Sequence, residues 1–162
     1  MDTEFLETAE GLIHLISIGI VAEDGREYYA VNADCPLELA SPWVQQHVVG
    51  QLHRSLSIPI RTLSKPALRD EVRAFIQAGG REPEFWGYIV AYDWVVFCQL
   101  FGEWSNMPED WPKYCRDLRQ WADFLGKPPL PPQNEGSHHA LWDARWNRQA
   151  WEFLDALARQ RG

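Results

Sequence analysis

The chain has 162 residues, which predicts a single domain over 1–162 with a sizeable hydrophobic core. Apolar residues make up 46% and charged residues 23%, an ordinary balance for a soluble globular protein, and no apolar run approaches the ~20 residues of a membrane span. The formal net charge of −8 excludes a protein that coats long nucleic acid by charge alone, but not an enzyme that grips a few terminal nucleotides.

In chain order, Asp2 to Leu6 predicts a short strand, with a tight turn near Gly11. Leu12 to Ala22 is rich in Ile, Leu and Val and predicts a buried strand. An Asp-Gly turn within Glu23–Arg26 leads to a hairpin partner, Glu27 to Asn32. Ser41-Pro42 is a helix-start signal, predicting a helix to about Leu52. A second helix starts at Ser64, with Pro66 early and Leu68, Val72, Phe75 and Ile76 on one face, and stops at Gly79-Gly80. Phe85 to Tyr92 predicts a compact apolar strand, and Asp93 to Phe101 a helix capped by its aspartate. Tyr114 to Leu125 and His138 to Arg161 read as amphipathic helices, separated by a Pro-rich loop from Lys127 to Ser137. The fold class is therefore α/β: a mixed sheet, three antiparallel strands first and then a parallel addition, flanked by helices.

The start carries two acids and no basic region, so it does not read as a signal peptide. The three cysteines, Cys35, Cys98 and Cys115, are odd in number and widely spaced, which predicts neither zinc ribbon nor disulfide framework and fits a reducing cytoplasm. Nine tryptophans exceed what a core of this size needs. Trp104, Trp111, Trp121, Trp146 and Trp151 are compatible with a dimer interface.

Four carboxylates and a histidine stand out. Asp2 and Glu4, two apart on a strand, point to one face, where they repel unless a cation lies between them. A lone pair of this kind is more often an exposed polar terminus. Asp93 ends an otherwise apolar strand, where ligands bind in α/β sheets, and it also suits a helix cap. His138 and Asp143 open the last helix after the Pro-rich loop. Five residues apart, they lie about 140° apart around a helix, so Asp143 can face a metal while His138 reaches a water. A surface pair between His139 and Asp143 is the competing reading.

In this order the set DxE, YD and HxAxxD resembles the DEDDh superfamily of 3′→5′ exonucleases, which has a ribonuclease-H-like fold and includes ribonuclease T and oligoribonuclease. Further strings, Asp2-Thr3-Glu4-Phe5, Leu15 to Gly19, Val21 to Val31, Ala91-Tyr92-Asp93 and Cys98-Gln99-Leu100, are most similar to the polyadenylate-specific group called RNase AS. The similarity covers essentially the whole chain. It implies a homodimeric Mg²⁺- or Mn²⁺-dependent enzyme acting on the 3′ end of single-stranded RNA, with a preference for adenylate. The chain departs from the family in having only Met1 before Asp2, so the first strand is short and the α-amino group lies near the expected cations. It also lacks an asparagine in Trp86–Val90, as the polyadenylate-specific group does.

Hydrolysis of a phosphodiester by two cations needs hard oxygen ligands. The expected roles are Asp2 as a bridge between both metals, Glu4 and Asp143 on the side of the attacking water, and Asp93 on the leaving-group side. His138 is the expected general base, histidine having a reference pKa of ~6.5. Phe5 is the expected wedge against the terminal base, the backbone around Thr3 the expected contact to a 2′-hydroxyl, and Arg145 a phosphate contact, as are Lys65 or Arg69. Trp86 and Trp94 are weaker wedge candidates, since a Trp beside a sheet is more often core. The alternatives are a related nuclease acting on other short RNA or DNA ends, a ribonuclease-H endonuclease, and an impaired RNA-binding member.

Overall fold

The computed structural model describes residues 1–54, 56–133 and 137–161. Residues 134–136 of the Pro-rich loop lie outside the described residues. Strand β1 (Asp2–Glu7) pairs antiparallel with β2 (Ile13–Val21), which pairs antiparallel with β3 (Glu27–Asn32). The β2–β3 turn is the expected one, with Gly25 at φ 91° and its N–H donating to Ala22 O. A three-residue strand, β4 (Arg61–Leu63), joins β3 in parallel, giving the order β1-β2-β3-β4. The sheet is thus mixed, as expected, but its parallel member is β4, which the sequence reading left out. With Arg61 and Thr62 exposed, β4 has neither the length nor the apolar alternation that marks a strand.

Phe85 to Tyr92 is not a strand of this sheet. Only β5 (Trp86–Gly87) is extended, and it pairs in parallel with β6 (Arg116–Asp117) in a separate small sheet. Ile89 has φ 53°, and the N–H groups of Ile89 and Val90 donate to the Asp117 carboxylate at 3.3 and 3.1 Å. A β-branched residue rarely adopts that conformation, so Asp117 fixes a turn that apolar composition cannot reveal.

Helix α1 (Pro42–His47) starts as expected, with Ser41 Oγ accepting from Val44 N, but stops short of Leu52. Beyond it the chain tightens into a 3₁₀ turn at Val49–Gln51, where Val48, Val49 and Gly50 give poor helix propensity. Helix α2 (Lys65–Gln77) matches its reading and buries Leu68 and Val72. Helix α3 (Ala91–Leu100) begins two residues before Asp93 and has no side-chain cap, so Asp93 is a first-turn residue and not the N-cap. Helix α4 (Leu118–Phe124) starts later than expected, because Asp117 caps it by accepting from Arg119 N and Gln120 N. Helix α5 (Ala140–Arg161) starts two residues after His138.

The sheet is packed on both faces, which explains why apolar residues occupy both faces of β2. Leu15, Ile18, Ile20, Tyr28 and Ala30 face one core with α2 and α3. Leu6, Ile16, Tyr29 and Val31 face another with Ala140 and Leu141 of α5. Leu15 and Ile18 share a face although three apart, because the β1–β2 register shifts between Glu4 and Phe5. Trp111 is buried, Trp94 stacks on Phe97, and Trp86 packs with Trp121 and Trp151. Buried Trp111 is therefore not available to an interface, whereas Trp104 is half exposed. No helix among the described residues is long and apolar enough to cross a membrane.

Gly19 sets how closely α5 approaches the sheet. A Cβ at this position would lie 2.2 Å from Ala140 O and 2.5 Å from Leu141 Cα. Both are backbone atoms, which cannot move aside as a flexible side chain can. Gly19→Ala is therefore expected to destabilise by at least about 2 kcal/mol, lowering Tm by ~4–8 °C. A Tm within 1 °C of the parent, measured by thermal unfolding, would contradict this packing.

Candidate active site

The register of β1 does the first part of the assembly. Asp2 pairs with Gly19 and Glu4 with Ser17, so Asp2, Glu4 and Leu6 share the face against which α5 packs. Thr3 and Phe5 face the other way, towards α3. Because Gly19 admits the backbone of Ala140 and Leu141 directly onto β2, the first turn of α5 arrives beside Asp2. One oxygen from each of Asp2, Glu4 and Asp143 then falls within 4.8 Å of the others.

Asp143 is held from several sides. Its Oδ2 accepts from the backbone N–H groups of His138 (3.0 Å) and His139 (3.2 Å), and Gln133 Nε2 donates to its Oδ1. An acid near a helix N-terminus is also favoured by the helix dipole. To meet Asp143 this way, His138 adopts φ 68°, in the left-handed region. His138 tolerates that conformation better than a β-branched residue would, and strained residues of this kind cluster at functional sites. The His138 ring lies edge-on to Trp43 at 4.8 Å, on the lip of the cleft.

Asp93 reaches the same cleft from α3. Its Oδ1 accepts from the N–H and the hydroxyl of Thr3, both at 2.8 Å. These bonds fasten α3 to β1, an edge strand whose outward N–H groups would otherwise lack a protein partner. The polar groups of Thr3 are therefore committed to Asp93. Phe5 stacks on Tyr92 of α3 with centroids 5.5 Å apart and planes within 9°.

The result is an open cleft of about 460 Å³ whose lining includes Asp2, Thr3, Glu4, Phe5, Asp93, His138 and Asp143. Arg145 is not part of its lining. Its guanidinium donates to both oxygens of Glu27 (2.8 and 2.7 Å) and to Ser57 Oγ. Arg69 is paired with Asp70. His139 makes no pair with the Asp143 carboxylate through its ring: it is buried between Tyr29 and Trp142, and burial pushes its pKa down to about 4. Trp43, half exposed, and Ser41 also line the cleft and were missed by sequence reasoning. The only signal at these positions was a helix cap, which says nothing about where the helix points. Gln133, in the Pro-rich loop, carried no signal at all.

The electrostatics are those of crowded, buried acids. Burial and then the charges of Asp93, Asp143 and Glu4 push the Asp2 carboxyl well above its ordinary range. Burial, the charges of Asp143 and Asp93, and a hydrogen bond with Asp143 push Glu4 up to about 8. Burial also raises Asp93 and Asp143, opposed by their hydrogen-bond donors. The Met1 α-amino group donates to Trp86 O at 2.7 Å, and burial lowers its pKa. Oxygen-only ligands that repel one another at this spacing suit a hard divalent cation such as Mg²⁺ or Mn²⁺.

This arrangement has a consequence for stability. The folded-state pKa of Glu4 lies above its ordinary 4.5, so the folded protein binds the extra proton. That contribution is complete below pH 4.5 and is lost as pH rises through about 8. Without metal, Glu4→Gln should reduce the fall in Tm between about pH 5 and pH 8.5. Mn²⁺ should raise the parent Tm more at the higher pH, where it replaces the missing protons. An equal Mn²⁺ shift at both pH values in calorimetry would contradict the coupling.

A family model described as the 3′-5′ exoribonuclease Rv2179c-like domain matches residues 1–154. Two Mycobacterium tuberculosis proteins are similar to the chain: 3′-5′ exoribonuclease Rv2179c of strain ATCC 25618 / H37Rv and 3′-5′ exoribonuclease MT2234.1 of strain CDC 1551 / Oshkosh. Each is 42% identical over 145 residues, which cover 89% of this chain and 84% of the relative. With the carboxylate cleft lying inside the matched region, the chain belongs to the Rv2179c-like 3′-5′ exoribonuclease family and is an exoribonuclease.

Proposed function

We propose that the protein is a DEDDh-type, metal-dependent exoribonuclease of the polyadenylate-specific kind. It removes nucleoside monophosphates from the 3′ end of single-stranded RNA by a two-metal reaction, preferring adenylate. The observation that carries this reading is the convergence of Asp2, Glu4 and Asp143 oxygens within 4.8 Å, beside His138 and in one cleft with Asp93.

Asp2, Glu4 and Asp143 would hold one cation, and Asp93 with Asp2 a second. When bound, such a pair of cations stabilises the charge that develops at the scissile phosphate and on the leaving oxygen. His138 takes the proton of the attacking water, held at the lip by its own backbone N–H bond to Asp143. The stacked Phe5–Tyr92 pair forms one wall for the terminal base, and half-exposed Trp43 lines the same cleft. Stacking of this kind tolerates any base. Adenylate preference is carried by similarity to the polyadenylate-specific group and by the large stacking surface of a purine. With Thr3 bound to Asp93, the backbone near Glu4 and Phe5 is the remaining source of a 2′-hydroxyl contact. Thr3 acts by positioning Asp93. Assembly as a homodimer in the cytoplasm belongs to the same proposal.

The test is a 5′-labelled RNA incubated with Mg²⁺, Mn²⁺ or EDTA. Stepwise shortening from the 3′ end is expected with either metal and none with EDTA, with oligo(A) cut faster than oligo(U), oligo(C) or single-stranded DNA. Asp93→Ala should abolish trimming with the fold intact by circular dichroism, and His138→Ala should slow it by ~10²–10⁴-fold. Internal cleavage would favour an endonuclease. A parent protein inert with both metals would favour a binding module.

A further inference from the structure

Most arginines of this acidic chain, from Arg26 to Arg159, meet a carboxylate. Among the described residues Arg54 is exposed and forms no ion pair, and Arg73 and Arg161 form none either. Its guanidinium carbon lies 4.4 Å from the centroid of the Trp142 ring. Trp142 lies on His139 at 4.7 Å, and His139 stacks on Tyr29 at 4.5 Å. The Tyr29 hydroxyl donates to Leu52 O at 3.0 Å. Both ring nitrogens of His139 are buried without a partner, so packing alone holds that layer. A column of rings thus runs from the core to the surface and ends in an exposed cation.

The column stands beside the catalytic acids in the chain, since His139 follows His138 and Trp142 precedes Asp143. A second chain of contacts leads to it from the cleft. Trp43, His47, Gln51 and Arg54 follow one another along α1, the 3₁₀ turn after it and the segment beyond, joined by direct contacts. His47 stacks on Trp43 at 4.7 Å, Gln51 Nε2 donates to His47 O and to Ser137 O, and Arg54 Nη1 donates to Gln51 Oε1 at 3.1 Å.

We infer that the strip from Trp43 to Arg54 is the path of the RNA strand upstream of the nucleotides in the cleft, with Arg54 binding a backbone phosphate. The inference rests on the reading of the cleft as the 3′-end site. A strand whose end sits among Asp2, Glu4 and Asp143 has to leave over the lip, and Trp43 and His138 form that lip. A guanidinium laid on an aromatic face is oriented in advance and keeps N–H groups for a two-pronged phosphate contact. In a chain of net charge −8, an arginine left without an acid offers the polyanion a place to bind.

The test compares kcat/KM for an oligo(A) dinucleotide and an oligo(A) decanucleotide with Mn²⁺, over a range of potassium chloride, for the parent, Arg54→Gln and Arg54→Lys. The parent should favour the longer RNA. Arg54→Gln should reduce that preference by ~3–10-fold and flatten the slope of log kcat/KM against log salt on the decanucleotide by about 0.7, the share of one phosphate on a single strand. Arg54→Lys should keep the slope, since it keeps the charge. An unchanged length preference and slope in Arg54→Gln would overturn the inference, as would an equal loss on both lengths, which marks a structural contact. A parent that trims neither RNA would overturn the reading of the cleft itself.

Discussion

The close contact between Gly19 and the backbone at Ala140 is the constraint on which the site depends. Asp2 sits opposite Gly19 in the sheet, and Asp143 sits one turn into the helix that rests on it. A side chain at position 19 would hold that helix off the strand and separate the two acids. The site is therefore a product of backbone packing, and the acids are placed before any ligand arrives. Asn147 adds to the same clamp, its buried side chain donating to Met1 O at 3.0 Å.

Placing acids in this way works against stability. Asp2, Glu4 and Asp143 repel one another, and burial makes their charged forms costly. The fold offsets this with donors placed around the rim: Thr3 on Asp93, and the amides of His138 and His139 with Gln133 on Asp143. None of these donors is a charged lysine or arginine. Neutral donors hold Asp93 and Asp143 in position without cancelling their negative charge. Arg145, held by Glu27, and the ion-paired Arg69 fit the same pattern. The proposed Mg²⁺ or Mn²⁺ pair would then supply the positive charge that RNA requires.

Much of this was legible in the sequence, and for identifiable reasons. The β2–β3 hairpin announces itself through a long β-rich run and an Asp-Gly turn, and α2 through a Ser-x-Pro start and a periodic apolar face. The four carboxylates and His138 are each weak signals, and they stand out only through their order along the chain, which resembles that of the DEDDh superfamily. The turn at Ile89 could not, since an apolar run from Phe85 to Tyr92 reads as a strand and Asp117 is far along the chain. The helix after Asp93 could be read, but not that it starts at Ala91 and takes Asp93 into its first turn: α3 is apolar on nearly every side, with Tyr92 and Val95 exposed, so no helical period marks its start. The cleft walls depend on which way α1 points, and that is decided by packing against Leu6, Ile16 and Tyr29, not by any local signal in Ser41–Trp43.

The most direct measurement is anomalous diffraction from crystals grown in saturating Mn²⁺. The strongest peak is expected among the Asp2, Glu4 and Asp143 carboxylates, with a second beside Asp93. Ordered side chains there with no peak between them, or Mn²⁺ bound only at other acids, would contradict the assembly of a cation site by the packing of α5 on Gly19.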